Sequence, residues 1–230
     1  MNPVEQRFSA VSTRIDQACG TAARTPADVR LLAVSKQHSA DAIRALHALG
    51  QNAFGENRAQ EALQKMAGLS DLSIEWHFIG PIQSNKAKDI AQHFDWVQSV
   101  DRAKVLRKLA AYRPAPHRPL QLCLQVNIDE EPQKAGASPA QLPELAALAA
   151  ALDQVNLRGL MCIPTAGADA STTAASFRRM VALQQDLNAR GHRLDTLSMG
   201  MSGDLELAVR EGSTMVRVGT DLFGPRPPRT

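Results

Sequence analysis

Two hydrophobic rhythms take turns along this chain. Short apolar runs such as "VRLLAVS", "IEWHFIG", "LQLCLQVNI", "LRGLMCI" and "TMVRVG" are rich in Val, Ile and Leu, as strands buried on both faces are. Between the runs lie longer segments whose apolar residues recur every three or four positions, the period of a helix with one buried face. Residues 3–19 begin with such a helix, its stripe formed by Val4, Phe8, Val11 and Ile15. The first strand, "VRLLAVS", is followed by a helix from Ser39, an N-cap candidate, to Leu49, with Gly50 as its stop. "QNAFGEN" then precedes a helix through Met66, "IEWHFIG" precedes "IQSNKAKDIAQHF", and "DWVQSV" precedes "DRAKVLRKLAAYR". The fifth strand leads to an Ala-rich helix from about Pro139 to Leu152, and the sixth to one near 172–190. "LDTLSMG" is the seventh, with a helix opening near Ser202, and "TMVRVG" is the eighth.

Strand and helix in strict alternation predict a parallel α/β fold, and the count fits a closed (β/α)8 barrel. An open doubly wound sheet competes, but it calls for a Gly-rich turn after the first strand, where Ser35-Lys36-Gln37 stands. Little chain follows the eighth strand, so the helix within residues 1–20 is expected to fill the gap in the outer ring. No linker interrupts the alternation, which predicts one domain over 1–230, with 224–230 as a tail.

Composition narrows the function. The 230 residues carry a net charge of +3, with basic and acidic residues intermixed rather than gathered in a stripe with aromatics, which argues against nucleic acid. The three cysteines, Cys19, Cys123 and Cys162, form no CxxC and predict reduced thiols rather than a disulfide framework or zinc site. The first residues lack the apolar core of a signal peptide, and no apolar stretch nears the ~20 residues of a membrane span. A soluble, cytoplasmic protein is expected.

Barrel chemistry gathers at the carboxyl ends of strands. Those ends supply Lys36 from the first strand and Arg217 from the eighth, neighbours in a closed barrel. A partly desolvated lysine near a second cation is nucleophilic toward aldehydes; the plainer reading is a solvated surface lysine. "SMGMSGDLELAV" and "RVGT" place small residues where the loops after strands seven and eight bind phosphate in such barrels. Asp204 and Glu206 would repel that anion, so Ser198, Gly200, Gly219 and Thr220 are expected to hold it, with the acids turned away. His77 is a candidate for lining the site. Asp129-Glu130-Glu131 read as solvated acids, the histidines give no metal-binding pattern, and no GxSxG elbow supports a hydrolase. A barrel aldolase or isomerase using Lys36 without a cofactor fits these residues too.

Taken in order, "LLAVSK", "FGEN", "WHFIGPIQSNK", "VNI…KAG", "LRGLM", "LSMGMS" and "STMVRVGT" resemble the YggS/PROSC family of pyridoxal phosphate homeostasis proteins over nearly the whole chain. The resemblance implies a barrel similar to the amino-terminal domain of alanine racemase that binds pyridoxal 5′-phosphate (PLP). It implies that Lys36 forms the Schiff base, that Arg217 faces the pyridine nitrogen, and that Ser198, Gly219 and Thr220, with backbone of Met199 and Gly200, cup the phosphate. Asn57 and His77 fall in motifs that line the pocket, and Lys134 matches a lysine linked to cofactor exchange. His38 stands where many relatives carry another lysine. The implied function is holding PLP in vitamin B6 and amino-acid balance, without robust catalysis. PLP, amino acids and transiently PLP-dependent apo-enzymes are the implied partners of a monomer. The alternative is a racemase-like enzyme acting on amino acids.

Overall fold

Eight parallel strands pair in sequence order, and the last returns to the first to close the barrel. The computed structural model describes residues 2–225. The strands are β1 (Arg30–Val34), β2 (Ala53–Glu56), β3 (Glu75–Phe78), β4 (Trp96–Val100), β5 (Leu120–Val126), β6 (Val155–Cys162), β7 (Thr196–Ser198) and β8 (Met215–Val218). The helices are α1 (Pro3–Thr21), α2 (Ala40–His47), α3 (Ala59–Ala67), α4 (Ala87–His93), α5 (Ala103–Tyr112), α6 (Leu142–Ala150), α7 (Ala170–Ala189), α8 (Leu205–Arg210) and α9 (Thr220–Phe223). The fold is the (β/α)8 barrel that the alternation predicts. No helix among the described residues is long and apolar enough to cross a membrane.

Local chemistry sets the helix ends. Asn2 and Ser39 cap α1 and α2 by accepting from the N–H groups of Glu5 and Ala42, and Asp169 caps α7 through Thr172. Gly50 has φ +96°, the left-handed conformation expected of the residue closing the α2 turn. Two ends differ from expectation. α8 opens at Leu205 rather than near Ser202, because Asp204 spends its carboxylate on the N–H of Met201 and holds residues 201–204 in a turn. A one-turn α9 follows β8, where no helix was expected.

The apolar core lies mainly between strands and helices, where Phe54, Ile43, Leu106, Leu122 and Phe177 are fully buried. Two smaller clusters, Leu32–Ala53–Met215 and Trp96–Cys123–Met161, stand apart from it. Helix α1 packs against α8, α9 and α2, between the last and first helices of the ring. Its Arg14 donates to Glu206, to Asp221 and to the carbonyl of Ser202. Of the expected tail, residues 226–230 lie outside the described residues.

Candidate functional site

The carboxyl ends of the strands open on a cleft of about 410 Å³. Lys36, Asn57, Arg217, Gly219 and Thr220 line it together with His38. Adjacent pairing of β1 with β8, which sets Leu32 opposite Arg217, brings Lys36 and Arg217 to the same mouth. Val34, Ile79, Met161 and Ile163 supply apolar wall.

Lys36 sits in a turn pinned on both sides. The preceding Ser35 donates through Oγ to Glu56 at 2.6 Å, and its carbonyl accepts from Lys65 Nζ at 2.9 Å. The following Gln37 has φ +66° and donates its N–H to Glu61 at 2.7 Å. Lys65 ties both acids together, 2.7 Å from each. Burial pushes the Glu56 carboxyl up against the pull of Lys65, and Glu56 Oε2 is the one buried side-chain polar atom without a partner among the described residues. Burial would raise Glu61 too, but the bonds from Lys65 and Gln37 outweigh it and hold it low. Close backbone approach shapes the adjoining wall: a Cβ on Gly80 would stand 2.1 Å from the carbonyl oxygen of Asn57.

Arg217 is buried yet pairs with no carboxylate among the described residues. Its Nη1 donates to the carbonyl and hydroxyl of Ser198, and its Nη2 to the carbonyl of Cys162. Burial lowers its pKa from a very high starting value, so the group stays a cation. With three of five N–H donors occupied, two remain for a ligand.

The loops after β7 and β8 place the residues expected to hold the anion at different depths. Ser198 and Met199 are fully buried: the serine hydroxyl donates to Gln98, and the Met199 N–H donates to Met215. Strand β7 ends at Ser198, so the chain runs further before reaching the rim. Gly200 has φ +94°, and a Cβ there would meet that of Ala208 at 2.4 Å, so this residue packs the loop onto α8. Met201, Ser202 and Gly203 reach the cleft instead. Among the described residues, the N–H groups of Ser202, Gly203, Gly219 and Thr220 donate to no protein acceptor. The acids are engaged elsewhere, Asp204 on Met201 and Glu206 on Arg14. The segment "SMGMSG" holds two Ser and Gly pairs, Ser198 with Gly200 and Ser202 with Gly203, and sequence reading took the first for the rim.

His77 is likewise absent from the cleft wall. It is fully buried, stacks on Trp96 at 5.2 Å, and lies between Glu75 and Gln98. Lys134 is also away from the cleft lining, held 2.5 Å from Glu131. Among the described residues no cluster of His, Cys, Asp and Glu could hold a metal.

Comparison with known proteins places this geometry. Residues 9–227 match the family model "Alanine racemase, N-terminal domain". A pyridoxal phosphate homeostasis protein of Pseudomonas aeruginosa is 51% identical over 98% of this chain and 97% of its own length. One from Escherichia coli K12 is 42% identical, covering 98% of each chain. The solved structure of PipY from Synechococcus elongatus with PLP bound superposes with a TM-score of 0.81 at 43% identity, covering 92% of this chain and all of that one. The chain belongs to the alanine racemase N-terminal domain family and, within it, to the pyridoxal phosphate homeostasis proteins.

Proposed function

We propose that this protein holds PLP in the carboxyl-end cleft and serves the intracellular balance of vitamin B6 and amino acids rather than catalysing a reaction. One observation carries the reading: Lys36, Arg217 and two loops with uncommitted N–H donors share one cleft. Lys36 supplies the amine that holds the cofactor's aldehyde covalently. Arg217 would donate to the ring nitrogen, and Met161, Ile79 and Asn57, which line the same cleft, would border the ring. The phosphate is received by backbone N–H groups of residues 202–203 and 219–220.

PLP supplies an electron sink whose strength depends on a protonated ring nitrogen. An always-protonated arginine can donate to that nitrogen but cannot give the acid partner that protonates it. The site thus favours retention over carbanion chemistry. A racemase also needs a base on each face of its substrate. The sole tyrosine, Tyr112, ends α5, which runs away from the cleft, and is exposed. The second reading, a PLP enzyme acting on amino acids, is favoured by the racemase domain to which the family model belongs.

A cytoplasmic monomer that exchanges cofactor with apo-enzymes completes the proposal. The test is to load the purified protein with PLP, reduce with borohydride and locate the adduct by mass spectrometry. An adduct on Lys36, absent in Lys36→Ala, is expected. An adduct elsewhere, or none, removes the covalent assignment, and Lys36-dependent turnover of an amino acid establishes the enzyme reading instead.

A further inference from the structure

The two mouths of the barrel are joined by a single file of polar side chains. Arg217 Nη1 donates to Ser198 Oγ at 2.9 Å, and Ser198 Oγ donates to Gln98 Oε1 at 2.7 Å. Gln98 Nε2 lies 2.9 Å from His77 Nδ1, and His77 Nε2 lies 2.6 Å from Glu75 Oε1. At the far end, Glu75 also accepts from Arg30 at 2.7 Å and borders the depression at the opposite mouth.

Chemistry fixes the direction of every link. Gln98 Nε2 also approaches Met215 Sδ at 3.1 Å, and a thioether can only accept. The amide nitrogen therefore faces the sulfur and His77, so His77 Nδ1 accepts and its proton sits on Nε2, aimed at the Glu75 carboxylate. A neutral ring is required, and burial, which lowers the His77 pKa, keeps it so. All donors then point from Arg217 toward Glu75. His77, Gln98 and Ser198 are 0% exposed, so water cannot replace a missing partner.

We propose that Glu75, His77, Gln98 and Ser198 are positioning residues that hold the Ser198 lone pair against Arg217 and thereby fix how its guanidinium meets the cofactor's ring nitrogen, an inference that rests on Arg217 facing that nitrogen. A Ser198 hydroxyl released from Gln98 is free to turn its proton toward Arg217, leaving one guanidinium N–H buried without an acceptor. The cation then rotates off its two carbonyl anchors. None of the four residues is itself part of the cleft's lining, and the file meets that lining at Arg217.

The experiment loads PLP into the wild type, Gln98→Met, Ser198→Ala, Ser198→Thr and Arg217→Gln, and records absorption maxima across pH and PLP dissociation constants. Arg217→Gln, Gln98→Met and Ser198→Ala are expected to shift the maximum in the same direction. Gln98→Met and Ser198→Ala should weaken binding about threefold to tenfold, the worth of one buried hydrogen bond. Ser198→Thr, which keeps the hydroxyl, should restore most of the wild-type spectrum. If Arg217→Gln shifts the spectrum and folded Gln98→Met and Ser198→Ala do not, the relay is overturned while the Arg217 reading stands. An unshifted Arg217→Gln overturns that reading and the relay with it. A wild-type measurement covers variants that fail to fold: nitrogen NMR of His77 should show the Nε2–H tautomer and move on loading with PLP. The opposite tautomer, or shifts that loading leaves unchanged, overturns the proposal.

Discussion

Arg217 grips Ser198 twice, donating from one nitrogen to its carbonyl at 2.6 Å and to its hydroxyl at 2.9 Å. A second nitrogen reaches the carbonyl of Cys162 at 2.8 Å, so the guanidinium bridges β6, β7 and β8. Lysine, a compact point charge, cannot span those acceptors. Arg217→Lys is therefore expected to cost about 1–3 kcal/mol of unfolding free energy in the protein without cofactor, the worth of buried acceptors left unmet. Urea denaturation measures it, and an unchanged midpoint would show that the bridge adds no stability.

The acids behind Lys36 depend on one buried amine. Lys65 is bonded to Glu56, Glu61 and the carbonyl of Ser35. Lys65→Met strips Glu56 of its counter-charge in a fully buried position, and breaking such a pair costs about 3–5 kcal/mol. Adding Glu56→Gln to Lys65→Met should recover more than half of that loss. A double variant no more stable than the single one would mean the charge of Glu56 is not the source of the penalty.

Arg14 ties α1 to both loops proposed to receive the phosphate, through Ser202 on one side and Asp221 on the other. Exposed ion pairs add little stability individually, about 0–1 kcal/mol. The larger effect of Arg14→Ala is expected on cofactor retention, a rise of about threefold to tenfold in dissociation constant, equivalent to one or two ordered contacts. Titration of the unloaded protein with PLP tests this. Equal affinity in both proteins would confine Arg14 to a role in helix packing.

Acid sensitivity should begin as pH falls through the ordinary histidine range. Burial lowers His77 despite its bond to Glu75, so its contribution is complete above about pH 6.5 and is lost as pH falls and the unfolded chain takes up the proton. Burial acts to raise Glu75, but the His77 bond, the charge that ring takes on only in acid, and then Arg30 outweigh it and bring it to about 2. That acid's contribution is present above its unfolded value near 4.5 and fades as pH falls toward 2. Each unit is worth about 1.4 kcal/mol, and allowing for the partial exposure of Glu75 leaves about 2 kcal/mol. Stability measured from pH 7 to pH 3 should show both limbs, and Glu75→Gln should flatten the lower one.

Strand and helix order were legible in the sequence because buried parallel strands and one-faced helices write different periods into the chain. The meeting of Lys36 and Arg217 at one mouth was legible too, since pairing of the first strand with the eighth follows from closing the barrel. What periodicity carries is which residues face apolar surroundings, not how far a loop travels after its strand ends. The three-residue β7 stops at Ser198, so Ser202 and Gly203, rather than Ser198 and Met199, reach the rim. His77 shows the same limit. Its motif marked it as polar in an apolar run, but only the packed lumen decided that it lies stacked on Trp96 and beside Gln98 rather than at the cleft. The direction of a hydrogen-bond file depends on which groups from distant strands meet, and those meetings exist only once the barrel has closed.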